Sequence, residues 1–202
     1  MLPIIWEEHG IRGVIRKTTP TGKTLHNMRD GKPYFRDGEL FVNINGSVHH
    51  ADVYEFYNAT GRKLKQEEIK IDTEVRIGAV ILKDEEVLLF HRLKKGQEYY
   101  AFPGGHQLTG EADLETLSRE IKEETGLEIT AEMASLFQEF NREGFGTERF
   151  YLVRGLADFS KLKPVNPDER PGESNKPVFM DIKIAAAKSN VYPQEVIKKL
   201  AD

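Results

Sequence analysis

Glu120, Glu123 and Glu124 close a segment that reads as a helix. At about 100° per residue, Glu124 falls about 40° and Glu123 about 60° either side of Glu120, so three carboxylates share one stripe roughly 100° wide. Like charges at this spacing cost roughly 0.2–0.5 kcal/mol per pair, and a face needed only for solubility would alternate its signs. The stripe therefore predicts a bound cation. The chain has no cysteine, so any metal is held by oxygen or histidine, and carboxylate oxygens in this number suit Mg²⁺ or Mn²⁺. Just ahead, Gly104 and Gly105 let the backbone come close to a metal or phosphate, with a glycine carbonyl as a further ligand. Glu111 and Arg119 carry opposite charges; the arginine cannot bind a cation, which predicts a salt bridge between loop and helix that fixes the carboxylates.

The elements that position these residues are legible in outline. A helix is predicted from Ala112 to Thr125, with Leu114, Leu117 and Ile121 as its apolar face beside the acidic stripe and Gly126 as its left-handed stop. Upstream, Val75–Leu82 and Val87–His91 form a hairpin across Lys83–Glu86. A short strand follows at Tyr99–Phe102, and then a loop at Pro103–Gly105. Further strands are predicted at Ser135–Phe140, Arg149–Leu156 and Val178–Ile184, with a closing helix from Gln194 to Leu200 after Pro193. Strands and helices mix without regular alternation, which favours an α/β (α+β) sandwich with a mixed sheet over a doubly wound fold. Residues 1–70 read as a small β-rich unit. Its strands are Leu40–Ile44 and Val48–Phe56, a turn lies at Ala59–Gly61, and a polar linker runs from Arg62 to Asp72.

The stretch from Gly105 to Leu127 resembles the Nudix box: Gly, five residues, Glu, seven residues, Arg-Glu, an aliphatic, any residue, Glu-Glu, any residue, Gly, an aliphatic. Gly105, Glu111, Arg119, Glu120, Ile121, Glu123, Glu124, Gly126 and Leu127 fill every defined place. The resemblance implies a Nudix-type α/β/α sandwich over residues 71–202 and a hydrolase acting on a nucleoside diphosphate linked to another group. It makes Glu120 and Glu124 the principal metal ligands, Glu123 a further ligand or water-orienting group, and the Gly104 carbonyl a ligand. The general base in such proteins is a box glutamate or a carboxylate on a distant loop. Here Asp168, Glu169 and Glu173 form the loop pool for that role or for substrate contact. Leu108 stands where many members carry another acid. The proline that marks the ADP-ribose-cleaving branch is missing near Arg142-Glu143, while an N-terminal β-unit used for dimerisation in that branch matches residues 1–70 in architecture. A nucleoside triphosphatase stays open, as does a non-catalytic nucleotide-sensing or regulatory module on the same fold. The isomerase variant relies on a cysteine this chain lacks.

Composition bounds the rest. Mean hydropathy is -0.53, and no run approaches the roughly 20 apolar residues of a membrane span. The opening lacks a secretory pattern, so the expectation is a cytoplasmic protein. The net charge of -4 argues against broad nucleic-acid binding and leaves a small nucleotide or nucleotide-sugar as partner. Residues 105–127 hold six acids and two bases, which alone matches the imbalance of the whole chain. Arg92 and His106 are candidate phosphate or base contacts, each weighed against an ordinary solvated side chain. Tyr99, Tyr100 and Phe102 are weighed between base stacking and packing, and Arg142, Arg149 and Arg154 between a phosphate pocket and a solvated strand face. His49 and His50, as strand neighbours, do not share a metal. The N-terminal unit is read as a homodimer arm, a substrate lid or a recognition module.

Overall fold

The computed structural model describes residues 4–8, 10–15, 31–36, 39–44, 47–50, 54–142, 146–156, 158–160, 162 and 174–202. Two units divide the chain: Met1–Thr73 with Leu108–Gly110, and Glu74–Gln107 with Glu111–Asp202.

In the first unit, β1 (Ile4–Glu8), β2 (Ile11–Ile15) and β6 (Tyr54–Asn58) make one antiparallel sheet. The strands β3 (Gly31–Arg36), β4 (Glu39–Ile44) and β5 (Ser47–His50) make a second. The expected turn after β6 is present. The Asn58 side chain accepts from the N–H of Thr60 and Arg62 at 3.1 and 2.9 Å, and Gly61 takes φ +83°. The stretch Arg62–Asp72, expected as a linker, is instead built into this unit. Leu64 N–H donates to the Phe56 carbonyl, and Ile69 and Ile71 are buried. Thr109 joins them, its hydroxyl donating to the Ile69 carbonyl at 2.7 Å and its N–H to Ile71.

The second unit is built on an eight-stranded mixed sheet. In chain order it uses β7 (Asp72–Lys83), β8 (Glu86–Lys94), β9 (Gln97–Ala101), β10 (Gly104–Leu108), β11 (Ala134–Arg142), β12 (Gly146–Val153), β13 (Ser174–Asp181) and β14 (Val191–Tyr192). The spatial path is β11-β12-β7-β8-β9-β14, with β10 on β7 and β13 on β8; β12 lies parallel to β7, and β14 parallel to β9. Three helices complete the unit: α1 (Asp113–Thr125), α2 (Ile182–Ala187) and α3 (Gln194–Ala201).

Strand alternation sorts β7 and β12 onto two cores, which is why β7 is apolar on both sides over Ile77–Ile81. Ile77, Ala79, Ile81 and Val153 pack with Leu117 and Ile121 of α1. Val80, Phe150 and Leu152 pack with Val196 and Ile197 of α3. The result is a sheet with helices on both faces. Gly78 leaves room for the Phe150 ring, on which a Cβ at that position would fall.

Two stretches differ from expectation. Gly104–Leu108, read as a loop, is a strand, because pairing with β7 outweighs the low strand propensity of its glycines. The strand expected through Ile184 stops at Asp181, whose carboxylate accepts from the Ile184 N–H at 2.9 Å and starts α2. Among the described residues no helix is long and apolar enough to cross a membrane.

Candidate active site

The helix α1 is anchored at both ends. At its start, Glu115 accepts from the Ala112 N–H at 2.8 Å. Asp113 gathers Tyr151 Oη at 2.8 Å, Gln107 Nε2 at 2.9 Å and Arg149 Nη1 at 3.1 Å, which ties the first turn to β12. Burial, and then the Asp113 carboxylate, push the Tyr151 phenol up to about 12. At its end Gly126 takes φ +74° and donates to the Lys122 carbonyl.

Between these anchors Arg119 makes the predicted bridge. Nε and Nη2 grip the two Glu111 oxygens, each at 2.9 Å, while Nη1 reaches Glu120 Oε1 at 2.5 Å and lies 3.7 Å from Glu123. Nη2 also donates to the His106 carbonyl at 3.1 Å. Glu111 in turn accepts from the Thr116 hydroxyl at 2.8 Å. One guanidinium thus fixes loop, strand and helix together, a task that needs its planar fork. Burial pulls the Arg119 pKa down, but the hydrogen bonds it donates to Glu111 and Glu120 outweigh it and leave it raised.

The acidic stripe is present, and its members differ. The Glu120 and Glu124 side chains keep 15% and 21% of their exposure, whereas Glu123 keeps 64%. Burial pushes both Glu120 and Glu124 upward; Arg119 opposes this at Glu120, and the Gly104 N–H and Arg92 oppose it at Glu124. Glu124 Oε2 accepts from Gly104 N–H at 2.8 Å, and Oε1 from Arg92 Nη2 at 3.2 Å. Among the described residues no three acidic or histidine side chains converge to hold a metal ion. Each inner carboxylate is turned onto a guanidinium instead. The donor set still fits a hard divalent cation, because two half-desolvated carboxylates one turn apart gain most from added positive charge.

The two glycines are needed for different reasons. Gly104 takes φ +133°, and a Cβ there would strike the Ile77 carbonyl. At Gly105 a Cβ would fall inside the Glu120 carboxylate. The Gly104 carbonyl, expected to face a metal, accepts from Arg76 Nη2 at 3.1 Å.

Arg92 and His106 line one cavity of about 340 Å³, which Arg92 links to Glu124 of this helix. Tyr99 lines it too, while Tyr100 stacks on His91 at 4.8 Å and Phe102 is buried in the core. Arg142 reaches the cavity, but Arg149 is held by Asp113 and Glu139, and Arg154 is exposed at the end of β12. Asp168, Glu169 and Glu173 lie outside the described residues. Sequence reasoning missed Arg76 and Glu148, which are paired in register on β7 and β12 and line the same cavity. A charge inside each apolar strand was the available signal.

The site thus combines a mixed sheet, an acidic helix stapled by a forked arginine, and a cavity lined by arginines whose Arg92 reaches Glu124 of that helix. The family model described as NUDIX domain matches residues 72–198, more than half of the 202 residues, and the chain belongs to this family. No curated protein matches the sequence. Solved structures similar to the chain include MutT from Aliivibrio salmonicida and Vibrio cholerae, at 22% identity over 62% of this chain and 94% of that one, TM-score 0.47. The MutT NUDIX hydrolase of Burkholderia pseudomallei is 20% identical over 63% and 95%, TM-score 0.48. The E. coli ORF135 protein is 21% identical over 63% and 87%, TM-score 0.48.

Proposed function

We propose that this chain is a Mg²⁺- or Mn²⁺-dependent hydrolase that cleaves the diphosphate linkage of a nucleoside diphosphate joined to another group. The observation that carries the reading is the pair Glu120 and Glu124, half-buried on one stripe of α1 and contiguous, through Arg92, with a cationic cavity. A bound divalent ion supplies charge neutralisation of the diphosphate and activation of water. Glu120 and Glu124 are the residues to hold it, and exposed Glu123 is placed to add a ligand or orient water. Arg119 and Glu111 act as positioning residues: their fork fixes the Glu120 carboxylate and leaves the helix little freedom to rotate it. Arg92 and His106 face substrate from the cavity wall, where Arg92 is free to exchange Glu124 for a phosphate oxygen.

The test incubates the purified chain with a panel of nucleoside triphosphates and nucleoside-diphosphate derivatives in Mg²⁺, and reads release of phosphate, pyrophosphate or nucleotide. Turnover of at least one member, abolished by EDTA, is expected. No release from any member at high enzyme removes the hydrolase reading and leaves the nucleotide-sensing module.

A further inference from the structure

The cavity that Arg92 links to α1 sets a buried carboxylate among cations. Its volume, about 340 Å³, sits at the low end of the roughly 300–1,000 Å³ of ligand pockets, which is room for one nucleoside. Arg76, Arg92 and Arg142 line it and suit a phosphate-bearing ligand. Glu148 does not suit phosphate. It is only 4% exposed, and its one ion pair among the described residues joins Oε1 to Arg142 Nη1 at 3.3 Å. Arg76, its partner in register, spends Nη2 on the Phe102 and Gly104 carbonyls at 3.2 and 3.1 Å. Glu148 Oε2 has no hydrogen bond among the described residues, and an ionised carboxylate is acceptor-only. The part of the cavity at Glu148 therefore selects a group that donates hydrogens. Elsewhere in the cavity lining, Tyr99 and Tyr192 meet edge to face at 6.3 Å, and Tyr192 is 43% exposed, which offers a flat ligand an aromatic wall.

We infer that this cavity binds the nucleobase of the substrate, and that Glu148 makes it selective for a guanine-type edge, whose ring N–H and exocyclic amine are two parallel donors. A carboxylate matches that pair with its two oxygens. Adenine and cytosine set a ring lone pair beside their one amine, and uracil sets carbonyls on both sides of its N–H, so each points acceptor at acceptor. A site built to satisfy donors rejects a ligand that lacks them, because its own polar group is left unpaired. Calling the ligand a substrate rests on the hydrolase reading; the base selectivity does not.

The experiment is equilibrium binding by calorimetry of GMP, IMP, AMP, CMP and UMP, none of which has a diphosphate to cleave, so its result stands whether or not the chain hydrolyses anything. GMP is expected to bind at least about tenfold more tightly than AMP, CMP and UMP, and several-fold more tightly than IMP, which lacks the exocyclic amine. In Glu148→Gln, confirmed folded by circular dichroism, the GMP preference is expected to fall to within about threefold. Equal binding of GMP and AMP by the unaltered chain, binding of none, or an unchanged GMP preference in the variant would each overturn the inference. A further arm with dGMP separates base from sugar: loss of binding on removal of the 2′-hydroxyl, without base preference, assigns Glu148 to the ribose and also overturns it.

Discussion

Adding one methyl group at each of the adjacent glycines Gly104 and Gly105 separates stability from function. At Gly105 the new Cβ falls on the tip of the Glu120 side chain, which is flexible, so the carboxylate retreats by roughly 1 Å to reach van der Waals separation. The alanine also restricts the unfolded chain, which is worth about 0.4–1 kcal/mol and offsets much of a weakened Arg119–Glu120 bond. Stability is then expected within about 1 kcal/mol of the parent chain. A misplacement of this size costs catalysis about 100-fold, or about 2.7 kcal/mol of barrier. At Gly104 the Cβ meets the Ile77 carbonyl and lies 2.7 Å from Gly78 Cα, both in the central strand, at φ +133°. Nothing there yields easily, and strain of about 1–3 kcal/mol adds to the overlap. A loss of about 3 kcal/mol or more lowers Tm by about 6–12 °C in a chain of this size. Thermal unfolding followed by circular dichroism, together with turnover of the best panel substrate, reads both variants. Gly105→Ala with full activity, or Gly104→Ala as stable as the parent, would refute the reasoning.

Other outcomes follow from the same geometry. Arg119→Lys keeps the charge but loses the fork on Glu111 and Glu120; a loss of about 1–3 kcal/mol by denaturant titration, with a fall in kcat of at least about tenfold, is expected, and parent-like values for both would contradict the positioning role. The Tyr151 phenol, pushed up to about 12, keeps its proton in the folded chain where the unfolded one loses it at about 10. Stability from this group is thus complete below pH 10 and is lost as pH rises from about 10 to 12. Tyr151→Phe is expected to be less stable by about 1 kcal/mol at pH 8, yet to lose Tm less steeply across pH 10–12. Parallel Tm profiles for the two proteins count against this.

Local chemistry was readable; juxtaposition across the sheet was not. The helix from Ala112, its stop at Gly126 and the Glu111–Arg119 bridge all follow from spacings of a few residues, where helical geometry decides who meets whom. The partnership of Arg76 with Glu148 depends instead on the parallel register of β7 and β12, between residues 72 positions apart. The strand at Gly104–Leu108 carries two glycines and owes its form to β7, a tertiary gain that propensity does not report. Thr109 joining the Ile69–Ile71 segment of the N-terminal unit is likewise a long-range pairing. The acidic stripe lies on α1 as its spacing predicts, whereas the hold of Arg92 on Glu124 does not follow from local spacing, because Arg92 arrives from β8.

The central claim is that the inner carboxylates of α1 hold the divalent cation for hydrolysis, and Glu124→Gln tests it most directly. The variant keeps the shape of the side chain and removes the charge. With Mg²⁺ and the best panel substrate, the parent chain is expected to turn over and the variant to lose nearly all of kcat, at least about 100-fold, with an unchanged circular dichroism spectrum. A variant as active as the parent would contradict the claim.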